Sequence, residues 1–244
     1  MPTRLIARLD VKPPFVVKPV YFEGLRKVGD PVEMAKQYYD QGADEIFYID
    51  IVASLYRREI LFDQIEKVAS QLFVPFAVGG GIKTIDDISR LLHSGADKVI
   101  LNTHVLQEDA SLINRAAEKF GSQAVTVHIQ AKKTGNDWVC VSDCARIPSR
   151  KKVLNWAQEV AQRGAGEILL SSVDYDGARK GFDQRLIEQV VPEINIPMVI
   201  GSGAGSLSDV TSLVQHIKPS GVAIASFLHK KLGTIQQMRQ QIFS

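Results

Sequence analysis

The chain of 244 residues contains only two cysteines, Cys140 and Cys144. Their spacing is not C-x-x-C, and the further ligands that a zinc site requires are missing. We therefore predict ordinary thiols in a reducing cytoplasm. The five histidines form no i, i+4 pair, and we predict neither a metal nor an organic cofactor.

Excess charge and long apolar runs are also missing. The formal net charge is +2, too small to indicate a nucleic-acid or membrane partner. No window is long and apolar enough to span a bilayer. The N-terminal segment MPTRLIARLDVK carries charges inside its apolar run, which is not typical of a signal peptide. The hydrophobic content of 45% is ample for a core.

The clearest positive feature is an internal repeat. Residues 74–103 (VPFAVGGGIKTIDDISRLLHSGADKVILNT) and 196–226 (IPMVIGSGAGSLSDVTSLVQHIKPSGVAIAS) share one pattern. Each has an apolar run, a glycine-rich turn, a helical segment, a second apolar run and a small polar ending. Because Gly79 and Gly201 lie half a chain apart, the repeat predicts one domain of two similar half-barrels, about residues 1–122 and 123–244.

Short apolar runs alternate with helical patterns along the whole chain, as in a parallel sheet covered by helices. Length and alternation predict a single (β/α)8 TIM barrel. The predicted strands are Arg4–Leu9, Glu45–Asp50, Phe76–Val78, Lys98–Leu101, Ala124–Ile129, Glu167–Ser171, Met198–Ile200 and Gly221–Ile224. The predicted helices include Pro31–Gln41, Thr84–Ser94, Asp109–Phe120, Arg150–Arg163, Gln184–Val191 and Leu207–His216, several of them ending at a glycine. The longest loops are predicted at Pro13–Gly29 and Lys132–Ser149, after strands one and five and therefore on the catalytic face of a barrel.

The repeated glycine turns predict two phosphate sites. A glycine turn lets a phosphate approach the backbone, and a helix that follows offers free N–H groups. Polar residues end the next strand in each copy. The alternative is that the glycines only form tight turns. The presence of two matching copies favours phosphate binding over this alternative. The segments concerned are Gly79–Gly81 with Asn102 and Thr103, and Gly201–Gly205 with Ala225 and Ser226, joined by Asp176 and Gly177.

Asp10 ends the first strand in LDVK and is a candidate general acid or base. The half-repeat aligns LDVK with IQAK, so Gln130 stands where a second acid would be. An amide can orient a substrate but does not exchange protons near neutral pH. Asp50, Asp174 and Asp176 are further strand-end carboxylates; each can instead cap a helix or lie in solvent. Lys18, in the first loop, can reach over an anion or remain solvated.

The motifs LDVK…VVK, D-I-x-A-S, VGGGI…GADKV…NT, GSQAV, RGAGEILL-x-S-x-D-x-DG and GAG, spread over about residues 4–229, resemble the cyclase subunit of imidazole glycerol phosphate synthase. The sister family, an isomerase of histidine biosynthesis with the same duplicated barrel, fits less well because GSQAV and RGAGEILL favour the cyclase. The resemblance implies a lyase of histidine biosynthesis. Ammonia from a glutaminase subunit, docked on the N-terminal face and delivered through the barrel, closes an imidazole ring on a bisphosphorylated formimino aminoimidazole carboxamide ribonucleotide.

The resemblance also implies residue roles. The two catalytic aspartates of the family fall on Asp10 and Gln130. A ring of charged residues that gates ammonia falls on Arg4, Glu45, Lys98 and Glu167; from the sequence alone, the ring can equally be a stabilising salt-bridge plug. The substrate-binding positions fall on Lys18, Asp50, Gly81, Asn102, Thr103, Asp176, Gly177, Gly203, Ala225 and Ser226.

Departures from the family pattern cluster on the catalytic face. Gln130 removes one proton-transfer group, Arg8 replaces a small or thiol residue, and Pro13, Pro14 and Pro19 stiffen the first loop. A missing general acid costs about 10²–10⁴ in rate. Three hypotheses follow: a cyclase with an altered acid/base pair; an ammonia-conducting, glutaminase-binding paralogue that serves a sugar amidotransferase; or a scaffold without turnover.

Overall fold

The computed structural model describes residues 2–21 and 23–243. These ranges contain strands β1 (Arg4–Lys12), β2 (Phe15–Val20), β3 (Glu23–Gly29), β4 (Glu45–Asp50), β5 (Phe76–Gly79), β6 (Lys98–Leu101), β7 (Val125–Thr134), β8 (Asp137–Ser142), β9 (Ile147–Lys152), β10 (Glu167–Ser172), β11 (Met198–Gly201) and β12 (Gly221–Ile224). They also contain helices α1 (Pro31–Asp40), α2 (Phe62–Ala69), α3 (Ile85–His93), α4 (Thr103–Gln107), α5 (Ser111–Phe120), α6 (Val153–Gln162), α7 (Gln184–Val190), α8 (Leu207–Ile217), α9 (Ser226–His229) and α10 (Ile235–Phe243).

Eight of the strands form a closed parallel barrel in the order β1, β4, β5, β6, β7, β10, β11, β12. The barrel closes where Arg4 of β1 lies opposite Gly221 of β12. The predicted (β/α)8 barrel and its eight strands are confirmed. Each half of the chain supplies four barrel strands. The division of residues 1–244 into one domain of two similar half-barrels stays a prediction, and Met1, Phe22 and Ser244 lie outside the described residues.

Side chains alternate between two cores. In β7, Val125, Val127 and Ile129 pack in the layer between strands and helices, whereas Thr126 and His128 belong to the barrel interior. The interior is a smaller apolar cluster that includes Ile6, Phe47 and Leu169. Burial on both faces explains why the strands are nearly continuous in apolar residues.

The two helices of the repeat, α3 and α8, begin where the sequence indicated. Thr84 caps α3 and Ser206 caps α8, each in a capping box with an aspartate three residues later. The predicted glycine ends are confirmed, because Gly42, Gly95, Gly121 and Gly164 all have positive φ.

The two long inserts were predicted as loops, and that prediction was wrong. β1 continues to Lys12 and pairs with the antiparallel hairpin β2–β3. β7 continues to Thr134 and pairs with the antiparallel hairpin β8–β9. Lys18 therefore lies on a strand, and α6 begins at Val153 rather than Arg150 because Ile147–Lys152 belongs to β9. No helix in the described ranges is long and apolar enough to cross a membrane.

Candidate active site at the C-terminal end of the barrel

A cavity of about 530 Å³ opens at the C-terminal ends of β4, β5, β6 and β7. Gly80 and Gly81 line it after β5, and Asn102 and Thr103 line it after β6. Gly80 has a φ of 108°, and an added Cβ would lie 2.3 Å from the carbonyl oxygen of Asp50. Only glycine lets the chain make this close approach. We call this cavity, with the residues that line it, the first cradle.

A much smaller cavity, of about 20 Å³, lies at the ends of β11 and β12 and is called the second cradle. Gly203 has a φ of 116°, and a Cβ there would lie 2.1 Å from the carbonyl oxygen of Gly181. The structure thus separates the predicted binding residues into two groups. Asp50, Gly81, Asn102 and Thr103 line the first cradle with Gln130, and Lys18, Asp176, Gly177, Gly203, Ala225 and Ser226 line the second.

The two helices that the sequence indicated, α3 and α8, each begin with a carboxylate that accepts from nearby N–H groups. At α3 the Asp87 carboxylate accepts from the N–H groups of Lys83 and Thr84, and Asp209 does the same before α8. At both helices an acceptor from the helix itself thus occupies the N–H groups immediately before the first turn. The short helices α4 and α9 follow Asn102 and Ala225, and neither start has a side-chain cap.

Asp10 is fully buried in a network of charges at the barrel mouth. Arg8 donates from Nε to Asp10 Oδ1 at 2.7 Å, and Lys18 Nζ lies 3.1 Å from Asp10 Oδ2. Lys18 also bonds to Asp176 at 3.0 and 3.2 Å. Burial opposes ionisation of Asp10, but Arg8 and Lys18 outweigh it and hold the pKa of Asp10 below its usual range. Burial likewise opposes the charge on Lys18, yet Asp176 and Asp10 raise its pKa.

Gln130 lines the first cradle and lies in register with Ser171 of β10. Its amide oxygen is buried and has no hydrogen-bond partner among the described residues. Ser171 Oγ accepts from Arg8 Nη1 at 3.1 Å and lies 3.1 Å from His128 Nε2. Burial, with Arg8 nearby, places the pKa of His128 well below its usual value, so its imidazole is neutral. Gln130 can therefore accept a hydrogen bond from a bound molecule, but it supplies no proton.

The other two predicted strand-end carboxylates, Asp50 and Asp174, differ in whether they line a cradle. Asp50 lines the first cradle, pairs with Arg58 and accepts from the N–H of Val52 at 3.1 Å. Burial raises the pKa of Asp50 even though Arg58 opposes the shift. Asp174 lies outside both cradles, paired with Lys132 at the surface.

The charged ring predicted at the barrel bottom is present. Arg4, Glu45, Lys98 and Glu167 begin β1, β4, β6 and β10. Arg4 pairs with both glutamates, and Lys98 Nζ lies 2.8 Å from Glu45 and 3.5 Å from Glu167. Burial raises the pKa of Glu45 despite the neighbouring Lys98. Each base thus contacts both acids across the N-terminal opening.

Several residues that shape the site did not appear among the predicted site residues. Arg8 was noted only as a departure and Ser202 only as part of the second glycine turn, and neither Ser171 nor Arg58 was given a role in the site. Ser202 Oγ donates to Asp176 at 3.1 Å. The one available signal was Arg8, which interrupts the apolar run of β1 between Ala7 and Leu9. Because charged residues inside a barrel need partners, this residue indicates an acid nearby.

The fold and the site define a (β/α)8-barrel enzyme, since active sites of this class lie at the C-terminal ends of the strands. A family model described as "Histidine biosynthesis protein" matches residues 4–234, and the chain belongs to that family. It is similar to three proteins named "Imidazole glycerol phosphate synthase subunit HisF". The relative from Myxococcus xanthus is 43% identical over 95% of this chain and 91% of its own. Those from Campylobacter concisus and Legionella pneumophila are 50% and 47% identical over 84% of this chain and 80% and 97% of theirs.

These relatives confirm the resemblance to the cyclase subunit. They give no support to the hypothesis of a paralogue that serves a sugar amidotransferase.

Proposed function

We propose that this chain is the cyclase subunit of an imidazole glycerol phosphate synthase, a lyase that acts in the cytoplasm in histidine biosynthesis. It takes ammonia from a glutaminase subunit and uses it to cleave and cyclise the bisphosphorylated ribonucleotide. The observation that carries the proposal is a pair of glycine-lined cradles in a chain of this family, one lined by Gln130 and the other by Lys18, which bonds to Asp10. A substrate with a phosphate at each end matches two cradles that flank the reacting groups.

The first cradle supports binding of one phosphate. Gly80 and Gly81 bring the backbone close, and Asn102 and Thr103 lie beside them at the uncapped start of α4. Backbone N–H groups and hydroxyls are the usual partners of phosphate oxygens. The cavity of about 530 Å³ leaves room for the ribose and base beyond the phosphate.

Asp10 is the proton-transfer group in this proposal. Its carboxylate is ionised, and the contacts with Arg8 and Lys18 stabilise that form, so proton uptake becomes easier when one of these contacts loosens. Lys18 is on the hairpin β2–β3, and the substrate's negative charge is an alternative partner for its ammonium. Gln130 orients the substrate through its unpartnered amide oxygen. With one proton-transfer group in place of two, we expect slow turnover.

Ammonia enters in this proposal from the N-terminal face, through the ring formed by Arg4, Glu45, Lys98 and Glu167. The ring is closed by its ion pairs, so opening needs at least one of them to break.

An exposed aromatic supports docking of the glutaminase on the N-terminal face. Phe73 precedes β5, is 84% exposed and lies 6.2 Å from the ring of Tyr39. A large exposed aromatic is typical of a protein–protein interface.

A growth experiment tests the cellular role. A histidine auxotroph that lacks its own cyclase subunit is transformed with this chain alone and with its glutaminase partner. Growth without histidine that requires Asp10 supports the proposal. Failure to grow, with soluble chain present in the cells, contradicts it.

A further inference from the structure

The Arg8 guanidinium has one nitrogen without a partner. The side chain is 2% exposed. Nε donates to Asp10 and Nη1 to Ser171. Nη2 is buried and reaches no acceptor within residues 2–21 and 23–243. A buried charged donor without an acceptor is rare in folded proteins and points to a group that completes it.

A second unpartnered atom lies in the same place. Ser226 Oγ is buried and has no hydrogen-bond partner in the described part of the chain. The side chains of Arg8 and Ser226 both line the second cradle. Two residues with unmet polar atoms thus border one cavity, and one of them is a permanent cation, which points to an acceptor that binds both.

The charges around the cradle favour an anion. Arg8, Lys18 and Arg179 line it together with one carboxylate, Asp176. Asp176 is already held by Lys18 and by Ser202. The other acid of the network, Asp10, occupies the Nε edge of the guanidinium. The remaining edge is free for an oxyanion, whose geometry suits an arginine fork.

The volume of the second cradle is too small for a phosphate, so a side chain that lines it must move before phosphate binds. About 20 Å³ is room for about one water molecule and not for a phosphoryl group. Lys18, which is 8% exposed, lines the cavity from the middle of β2. Its contacts with Asp10 and Asp176, and the hydrogen bond from Tyr21 N to Asp176 O at 2.8 Å, hold the hairpin over the cradle. An anion that replaces Asp176 as the partner of Lys18 enlarges the site without leaving the ammonium unpaired.

We propose that Arg8 is a specificity-determining ligand of the second phosphate, bound through Nη2 together with Ser226 Oγ. The inference rests on the proposed function for the identity of the ligand. The resemblance assigns this end to Gly203, Ala225 and Ser226 but gives position 8 no role. Arg8 therefore adds a buried cation to a cradle that Lys18, Arg179, Asp176 and small residues also line.

Binding of inorganic phosphate tests the inference without any turnover. Phosphate is titrated into the purified chain by isothermal calorimetry, and crystals soaked in phosphate identify the occupied cradle. Arg8→Met removes the charge, Arg8→Lys keeps it without the fork, and Thr103→Ala is the matched change in the first cradle. We expect Arg8→Met to weaken phosphate in the second cradle about 10- to 100-fold and to leave the first within about twofold. Arg8→Lys should retain part of the phosphate affinity of the second cradle. Thr103→Ala should weaken phosphate binding in the first cradle and leave the second unchanged.

Thermal unfolding of each variant is measured first. If Arg8→Met does not fold, Arg8→Lys and Ser226→Ala decide, each with an expected loss of several-fold in the second cradle alone. Unchanged phosphate affinity in folded variants, or phosphate in the first cradle only with a water on Arg8 Nη2, overturns the inference. Arg8-dependent phosphate binding in a chain without cyclase turnover would leave the inference standing and contradict the proposed function instead.

Discussion

Arg8 and Asp10 form a buried ion pair two residues apart on the same face of β1, with Nε and Oδ1 separated by 2.7 Å. Lys18 completes the pair from the hairpin β2–β3. Two cations thus share one carboxylate. Any change at Asp10 leaves both of them buried without their common partner.

Asp10→Asn is therefore expected to lower the free energy of unfolding at pH 7 by about 3 kcal/mol or more. The pKa of Asp10 is lower in the folded chain than its ordinary value of 3.8. Its contribution is thus complete above pH 4 and is lost as the pH falls below 3.8, where the unfolded chain is protonated first. Urea unfolding at pH 7, 5 and 3 should show a difference in the free energy of unfolding between wild type and Asp10→Asn, and this difference should become smaller only at pH 3. Asp174→Asn, at a surface pair, is the control and should cost less than about 1 kcal/mol.

Gln130→Asp restores a proton-transfer group at the position where the repeat lacks one. We expect the rate with ammonium salt to rise by about 10²-fold or more, because a carboxyl can donate and accept a proton while an amide cannot. Gln130→Asn, which keeps the amide, is the control and should give no gain. Equal rates for the Asp and Asn variants would show that the site does not depend on an acid at this position.

His229 gives the fold a dependence on pH. Its Nδ1 lies 2.7 Å from the Tyr38 hydroxyl, and the two rings stack. Burial, assisted by Lys18, lowers the pKa of His229 to about 4 from 6.5. The unfolded chain therefore takes up a proton first, and this residue makes the fold less stable as the pH falls from 6.5 to 4. His229→Gln should cost about 1 kcal/mol at pH 7 yet lose less stability than wild type on going to pH 4.5. An unchanged pH dependence in urea unfolding would exclude this role.

Phe73→Glu tests the face on which the glutaminase docks. Because Phe73 is 84% exposed in the free chain, we expect an unchanged melting temperature. We expect affinity for the glutaminase to fall about 30-fold or more, as at an interface hot spot. Tyr56→Glu, 54% exposed at the opposite end of the barrel, is the matched control. The reverse pattern in a binding titration would place the partner at the C-terminal end.

Sequence patterns predicted the barrel well because its strands are buried on both faces. The hairpins were missed for the opposite reason. EGLRKVG and IPSRKK, the sequences of β3 and β9, are polar and mostly exposed, and they become strands by pairing with neighbours rather than by propensity. The glycines of the cradles were predictable from the repeat. The closure of the second cradle was not, because it depends on Lys18 meeting Asp176, a partner 158 residues away.

Turnover by the purified chain tests the proposed cyclase most directly. The chain is incubated with ammonium salt and the bisphosphorylated ribonucleotide, and both products are quantified beside Asp10→Asn at a temperature at which both proteins are folded. The proposed function requires slow formation of imidazole glycerol phosphate and aminoimidazole carboxamide ribonucleotide in equal amounts, abolished by Asp10→Asn. Absence of both products from folded wild-type chain, or equal rates in the two proteins, would contradict it.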